Sequence, residues 1–182
     1  RADDKLVGVE RTAGEHDILL FSSAGKSIRF RESDVRSVGR TAIGVRGIRL
    51  ADKDSVVSLI VAESDDPILT ATEKGYGKRT QLDEYRAQAR GGSGVISIKT
   101  SDRNGQVVGA IQVTDEDEMM LISDKGTLVR ARASDVSIIG RNTQGVTLIN
   151  IADDEALVSV AKIAETEDDE GDSEEVSESS EE

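Results

Sequence analysis

Three arginines recur at nearly constant spacing in this chain of 182 residues, each within the same short frame. The frame is a small residue, arginine, three further residues, glycine and valine, and it occupies residues 39–45, 89–95 and 140–146. A guanidinium group presents N–H donors in a planar fork that matches phosphate oxygens. The glycines Gly44, Gly94 and Gly145 supply a positive φ, a close approach between backbones, or both. The pattern predicts a repeated anion-binding surface.

Other positions repeat in the same register of about 50 residues. Self-similarity at this period is the mark of a repeat architecture, in which small units bury a common core by stacking. The aligned sets are Gly25, Gly75 and Gly126; Arg29, Arg79 and Arg130; Val35, Tyr85 and Val136; and Ile48, Ile98 and Ile149.

Each repeat reads as short strands separated by turns. In the first repeat the apolar runs are residues 18–21, 27–31, 45–50 and 56–61, with a turn at 23–26, and helical periodicity is weak, at most one or two turns at 82–89. About four strands in about 50 residues is the size of a propeller-type blade. We therefore predict an all-β fold with repeats at about 17–66, 67–117 and 118–164. Residues 2–9 echo residues 152–160, which predicts part of an earlier unit and hence a fragment.

Most of the net charge of −13 comes from the C-terminal tail, residues 165–182, and little of it from residues 1–164. Residues 165–182 hold 11 acidic residues and no basic one, which leaves 25 acidic and 23 basic residues over positions 1–164. A tail of this composition is predicted to be disordered. In the body, basic residues gather within 26–49, 74–103 and 125–141, and acids gather in the links between repeats. This zoning favours a long anionic partner that bends around the molecule.

No catalytic or metal site is predicted. His16 is the single histidine and stands in a polar setting, and Tyr76 and Tyr85 have no histidine or clustered acids nearby in sequence. The glycines around Lys78 lack the spacing of a phosphate loop. The absence of cysteine excludes disulfides and thiolate metal sites, and no apolar run reaches the roughly 20 residues of a membrane span.

Four segments resemble the C-terminal domain of the A subunit of bacterial DNA gyrase. They are residues 44–50, 75–80, 94–99 and 140–146, and the resemblance covers about residues 1–164. It implies a β-pinwheel, a six-bladed disc whose blades exchange strands, with duplex DNA wrapped around a basic rim. The signature box of the family has only a degenerate match here, at residues 88–94, so the box itself and the nucleophilic tyrosine are expected upstream.

The resemblance also implies the wider setting. The holoenzyme introduces negative supercoils in an ATP-dependent reaction, with ATP and Mg²⁺ bound by other domains and no cofactor expected in this segment. The gyrase B protein would join through upstream domains in an A2B2 heterotetramer in the bacterial cytoplasm, with no membrane contact. Two alternatives remain: the corresponding domain of the topoisomerase IV A protein, and a propeller that serves as a protein-interaction platform.

The expected phosphate contacts are basic residues of the repeated segments, at whose repeat positions no matching acid recurs. Phosphate contacts need only cationic side chains and backbone N–H groups, whereas single-strand readout needs stacking aromatics, of which this chain has two Phe and two Tyr. The predicted set is Arg29, Arg31, Arg40, Arg46, Arg49, Lys78, Arg79, Arg90, Lys99, Arg130, Arg132 and Arg141.

The acidic tail generates a first prediction. A flexible anionic segment tethered beside a basic rim competes with DNA at high effective concentration. Truncation after Ala164 is therefore expected to tighten binding to linear duplex DNA at low salt, measured by titration with and without the tail. Unchanged affinity would leave the tail with a solubility role only.

Overall fold

The computed structural model describes residues 5–163, which contain strands and single 3-10 turns. The predicted tail, residues 165–182, lies outside the described residues. The strands are β1 (Asp17–Ser22), β2 (Lys26–Arg31), β3 (Val56–Ala62), β4 (Ile68–Thr72), β5 (Tyr76–Thr80), β6 (Val95–Ile96), β7 (Val107–Gln112), β8 (Glu118–Ser123), β9 (Leu128–Arg132), β10 (Val146–Thr147) and β11 (Leu157–Lys162). A 3-10 turn follows each of β2, β5 and β9, at Glu32–Asp34, Leu82–Glu84 and Ala133–Asp135.

The strands form three antiparallel sheets, and two of these sheets borrow a strand from the following repeat. Their orders are β3-β1-β2-β6, β10-β5-β4-β7 and β11-β8-β9. The second repeat thus donates β6 to the first sheet, and the third donates β10 to the second. The strands confirm the all-β fold that the repeat predicted, and the exchange confirms the β-pinwheel that the resemblance implied.

The hairpin that opens each repeat follows directly from local sequence. β1 and β2 pair from Asp17 opposite Arg31 to Phe21 opposite Ser27. Gly25 closes the turn between them with φ +79°, a conformation that side chains with a Cβ rarely adopt. Along β2, Ile28 and Phe30 are buried, as the alternation predicted.

Neighbouring repeats share their cores. The cluster around Leu19 and Phe21 of the first repeat includes Ile68 and Tyr85 of the second. The rings of Phe21 and Tyr85 meet edge to face with centroids 5.7 Å apart, a favoured aromatic geometry. No repeat encloses this core alone, so stability depends on contact between neighbours.

The inner ends of the sheets meet at β3, β7 and β11. The N–H of Ala110 in β7 donates to Ser58 Oγ in β3 at 2.9 Å, and Gly109 leaves room for Val160 of β11. Since these strands converge, the donated strands β6 and β10 lie at the opposite, outer ends of their sheets.

Two sequence predictions differ from the structure. Residues 45–50 form no strand, although the equivalent segments provide β6 and β10, because no strand that precedes them within residues 5–163 pairs with them. Residues 5–9, the described part of the segment that echoes β11, also form no strand, although Gly8 lies beside Leu59 of β3. The 3-10 turn at Leu82–Glu84 agrees with the expected limit of one or two helical turns at 82–89.

Gly94 offers a test of the exchanged strand. Its φ is +69°, and a Cβ there would collide with the backbone carbonyl of Ser27 across the junction. Gly94→Ala is expected to lower the free energy of unfolding by about 1–3 kcal/mol, measured by urea denaturation. Gly39→Ala is the control, because Gly39 has open space around it and an ordinary φ. Equal losses in the two variants would contradict the assignment.

Candidate nucleic-acid interface

Arg29 of β2 and Arg79 of β5 clamp their repeats to the next ones. Arg29 Nη1 donates to the carbonyls of Leu82 and Tyr85 at 2.9 and 3.3 Å, across the first junction. Arg79 Nε donates to the carbonyl of Val136 at 2.8 Å, the same contact one repeat later. Both side chains are largely removed from solvent, so their donors are used inside the protein rather than offered to phosphate.

Acids pair with the arginines at this strand position, a feature that the sequence analysis did not identify. Asp17 accepts from Arg29 Nε at 2.6 Å, and Glu118, at the same repeat position 101 residues later, pairs with Arg130. Pro67 holds that position in the second repeat, where Asp115 pairs with Arg79 instead. The sequence signal for these two acids is their spacing of 101 residues, which spans two repeats because the second repeat has no acid at this position.

Lys78 is also a junction residue and is fully buried. It stands at the repeat position of Ile28. Its Nζ donates to Thr80 Oγ1 at 2.6 Å and to the Gly140 carbonyl at 3.1 Å. Burial, with the neighbouring Arg141 guanidinium, lowers the pKa of Lys78 from 10.5 to about 8. This lysine is therefore not available to a ligand. It is a buried cation at a repeat position where the first repeat has an apolar residue.

Two of the three frame arginines bind the backbone of the preceding repeat. Arg90 Nη1 donates to the Arg46 carbonyl. Arg141 Nη1 donates to the Ile96 carbonyl at 2.8 Å, with its Nε 3.7 Å from a carboxylate oxygen of Glu84. Both keep partial exposure. Arg40, which opens the first frame, makes no such contact with residues 5–163 and is exposed.

The remaining predicted residues are exposed on the outer parts of the repeats. Arg31 pairs with Asp17 at 3.1 Å, and Arg130 pairs with Glu118 while 64% of its side chain stays exposed. The others make no ion pair with any residue between 5 and 163. These are Arg40, Arg46, Arg49, Lys99 and Arg132.

At both junctions an exposed cation of one repeat lies beside the frame of the next, and we call the exposed cations of the predicted set the outer row. Arg49 is held against the frame of the second repeat by its N–H, which donates to the Gly92 carbonyl at 2.8 Å. Lys99 is held against the third frame in the same way, through Thr143 at 2.8 Å. Because the first two sheets borrow their outer strands from the next repeat, the exchange itself brings cations of one repeat beside those of the next, as with Arg46 and Arg90.

Among the exposed cations outside the predicted set, two arginines recur at the same repeat position. Arg36 and Arg86 follow the first and second 3-10 turns at a spacing of 50 residues, and the third repeat has Ser137 there. Their exposure was detectable from the same register that identified the frame.

The described residues show no other recognisable site. They contain no group of three or more His, Cys, Asp or Glu side chains arranged to hold a metal ion. The short helical turns between residues 5 and 163 lack the length and apolar character of a membrane-spanning helix. His16 Nδ1 lies 3.8 Å from Glu32 Oε2, and both side chains are partly buried.

Comparison with known proteins identifies the family to which this fold belongs. The family model described as the DNA gyrase C-terminal domain, a β-propeller, matches residues 16–63, 66–114 and 117–164. The chain belongs to this family. It is similar to the DNA gyrase A protein of Klebsiella oxytoca, with 59% identity over 167 residues, which is 92% of this chain and 19% of the relative. The chain thus spans about a fifth of that protein's length.

Two solved structures share the fold of this gyrase-family domain. The C-terminal domain of DNA gyrase A has 31% identity and a TM-score of 0.77, over 82% of this chain and 51% of that one. The C-terminal domain of DNA topoisomerase IV has 28% identity and a TM-score of 0.83, over 88% of this chain and 50% of that one. The fold is common to both, and the sequence similarity is greater to gyrase A.

Lys78 generates a prediction of pH dependence. Its pKa is lower in the folded protein than in the unfolded chain, so between about pH 8 and 10.5 the unfolded state binds more protons. Stability is therefore expected to rise with pH across this window, and Lys78→Met is expected to remove that rise. Urea midpoints measured from pH 7 to 10 give the comparison.

The control for Lys78 is Lys99→Met, which removes an exposed lysine of the same repeat. This variant is expected to retain the rise of the parent chain. If Lys78→Met keeps it too, the buried ammonium is not its source.

Proposed function

We propose that this domain binds duplex DNA along its outer row of cations and bends it as part of a DNA gyrase A protein. The observation that carries the proposal is the position of two exposed cations, Arg49 and Lys99, each of which lies against the frame of the following repeat. A row that follows the repeats around an arc presents positive charge along a curved path, which suits a polymer with evenly spaced phosphates.

The energetics favour contacts that are many and individually modest. Bending 20–30 base pairs by 40–90° costs about 1–6 kcal/mol, so contacts must be spread along the curve. The exposed candidates, with Arg29, Lys78 and Arg79 now assigned to the junctions, are Arg31, Arg40, Arg46, Arg49, Lys99, Arg130 and Arg132, to which the structure adds Arg36 and Arg86. Phosphate contacts of this kind predict binding that depends on salt and little on sequence.

The role of the whole protein is a wider part of the proposal. A curved DNA segment held by this domain would be presented to the strand-passing domains of the enzyme, which introduces negative supercoils with ATP and Mg²⁺ bound elsewhere. The gyrase B protein would join in an A2B2 assembly in the bacterial cytoplasm. The support is the 59% identity with a gyrase A protein over nearly all of this chain.

The topoisomerase IV domain is a second candidate because its fold overlays this chain with a TM-score of 0.83. Of the two enzymes, only gyrase would require DNA to wrap around this domain with one fixed handedness. A full-length A protein that carries this domain, assembled with its B protein, is expected to supercoil relaxed plasmid; relaxation without supercoiling would favour topoisomerase IV.

The row of cations is tested by neutralisation. The triple variant Arg46→Gln, Arg49→Gln and Lys99→Gln is expected to weaken binding to linear duplex DNA. If each cation contacts one phosphate, the slope of log affinity against log salt falls by about 0.9 per residue, or about 2.7 in all. Fluorescence anisotropy at several salt concentrations measures it.

A matched control removes three cations that do not belong to the outer row. Lys5 and Arg11 precede the first repeat, and Lys162 ends the inner strand β11. Their replacement by glutamine makes the same change in net charge and is expected to leave the slope nearly unaltered. Equal loss of slope in both triples would show that net charge, not the outer row, governs binding.

A further inference from the structure

The second repeat places an arginine against an aromatic ring at the second junction. The guanidinium carbon of Arg103 lies 4.8 Å from the centroid of the Tyr76 ring, a distance at which the face of the ring attracts a cation. Neither residue type recurs at the same repeat positions. Those positions hold Lys26 and Lys53 in the first repeat and Thr127 and Asp154 in the third. The pair is therefore specific to the second repeat, and neither residue belongs to the shared cores.

Arg103 is held in place by the residue that follows it. Asn104 is fully buried, and its Nδ2 donates to the carbonyls of Lys99 at 2.9 Å and of Gln144 at 3.1 Å. Gln144 belongs to the frame of the third repeat, and its Nε2 donates in turn to Ser101 Oγ at 3.1 Å. This loop is thus fixed to the next repeat, so the Arg103 side chain projects from a fixed base although it is exposed.

Arg103 lies beside a cation of the outer row. The N–H of Lys99 donates to the carbonyl of Thr143 at 2.8 Å. Arg103 Nη1 lies 3.5 Å from Oε1 of the next residue, Gln144. Both cations therefore contact adjacent residues of the third frame. Both are exposed, and within the described part of the chain neither is paired with a carboxylate. Arg103 thus adds a second exposed charge to the position of Lys99.

The Tyr76 hydroxyl adds further hydrogen-bonding groups at the same place. Tyr76 pairs with Thr147 of the donated strand β10. A hydrogen bond from Arg103 is the main cause that lowers the pKa of the Tyr76 hydroxyl, against a smaller opposing effect of burial. The charge of Arg103, the Thr147 hydroxyl and the charge of Lys74 act in the same direction as that bond. Arg103, Thr147 and Lys74 are exposed, so cationic and hydroxyl donors surround one aromatic ring at the surface.

Donors of this kind suit a phosphate group. A phosphate oxygen is an acceptor with negative charge, and it can bind the free edge of a guanidinium whose plane is held against a ring. Base edges combine donors with acceptors, whereas backbone phosphates offer acceptors alone. Of the acids close in sequence, Glu73 accepts from the N–H of Gln106 at 2.8 Å, and Asp102 is exposed beside Arg103.

We propose that Tyr76 and Arg103, with the hydroxyl of Thr147, bind one phosphate of the DNA backbone at the second junction. The inference rests on the proposed function and adds a contact of a different kind to it. The guanidinium here is fixed by a ring and by a buried asparagine, and a fixed donor loses less side-chain entropy when phosphate binds. Binding at this site should therefore depend on its shape as well as on its charge.

Tyrosine is a direct reporter of this site, because the chain has only two tyrosines and no tryptophan. Tyr85 is 1% exposed. In a chain labelled with ¹³C at the tyrosine Cζ, only the Tyr76 signal is expected to shift when a short linear duplex is added. The Tyr76→Phe variant assigns the two signals. A Tyr76 signal that stays fixed while DNA binds would overturn the site.

The same labelled chain distinguishes the DNA backbone from free phosphate. Millimolar inorganic phosphate, added at constant ionic strength, is expected to leave the Tyr76 signal in place, because a single phosphate lacks the neighbouring contacts of the duplex. A shift equal to that caused by DNA would assign the site to free phosphate and overturn the proposal.

The ring is tested by variants that leave the net charge unchanged. Tyr76→Leu is expected to weaken binding to linear duplex DNA by about threefold or more, because the guanidinium loses its aromatic partner. Tyr76→Phe keeps the ring and is expected to lose less, and it serves as the second variant if Tyr76→Leu is less stable in urea. Fluorescence anisotropy measures both. Affinities equal to that of the parent chain in both variants would contradict a role for the ring.

The guanidinium is tested separately. Arg103→Gln is expected to lower the slope of log affinity against log salt by about 0.9, the value for one phosphate contact. Arg103→Lys keeps the charge without the planar fork and is expected to restore the slope but only part of the affinity. Lys5→Gln is the control, with the same change in net charge outside the repeats. Full recovery by lysine, or an equal loss in the control, would leave charge alone as the cause and overturn the site.

The two proposals fail in different ways. A parent chain that does not bind duplex DNA at low salt would overturn the proposed function and this site with it. A parent chain that binds, with a triple variant of the outer row that binds less well, would support the proposed function. If Arg103→Gln and Tyr76→Leu then bind DNA as the parent chain does, only the phosphate site at the second junction is overturned.

Discussion

The structure depends on hydrogen bonds between the outer edges of β2 and β5 and the backbone of the next repeat. At the first junction the Gly25 carbonyl accepts two N–H groups from residues 97 and 98, and Gly94 allows its backbone to lie against Ser27. Buried backbone groups must find partners, so this pairing fixes the relative position of the repeats as firmly as the shared cores do. The arginine clamps and the row of exposed cations both follow from it.

Sequence alone predicted the fold well because the repeat is visible in residue types that the fold requires. Gly25, Gly75 and Gly126 mark three equivalent turns with positive φ. What sequence could not supply was the partner of each strand: residues 45–50 have strand composition but form no strand, since pairing is a property of the neighbour. A period of about 50 residues reveals the unit and not the exchange.

The prediction of functional residues was weaker for a related reason. A repeated arginine is required equally by a phosphate row and by a clamp between repeats, and the sequence pattern is the same in both. Arg29 and Arg79 proved to bind carbonyls of the next repeat. Arg49 and Lys99 remain exposed, although nothing in their sequence context distinguishes them from the buried pair. Only burial separates the two roles.

The two junctions differ at one buried position: Ile28 occupies it in the first junction and Lys78 occupies it in the second. An apolar contact resists separation until its surfaces part, whereas a buried ammonium held by Thr80 and Gly140 gains hydration as soon as a gap admits water. If force bends the domain, the junction between the second and third repeats would therefore open before the junction between the first and second. The first two repeats would then move together as one rigid unit.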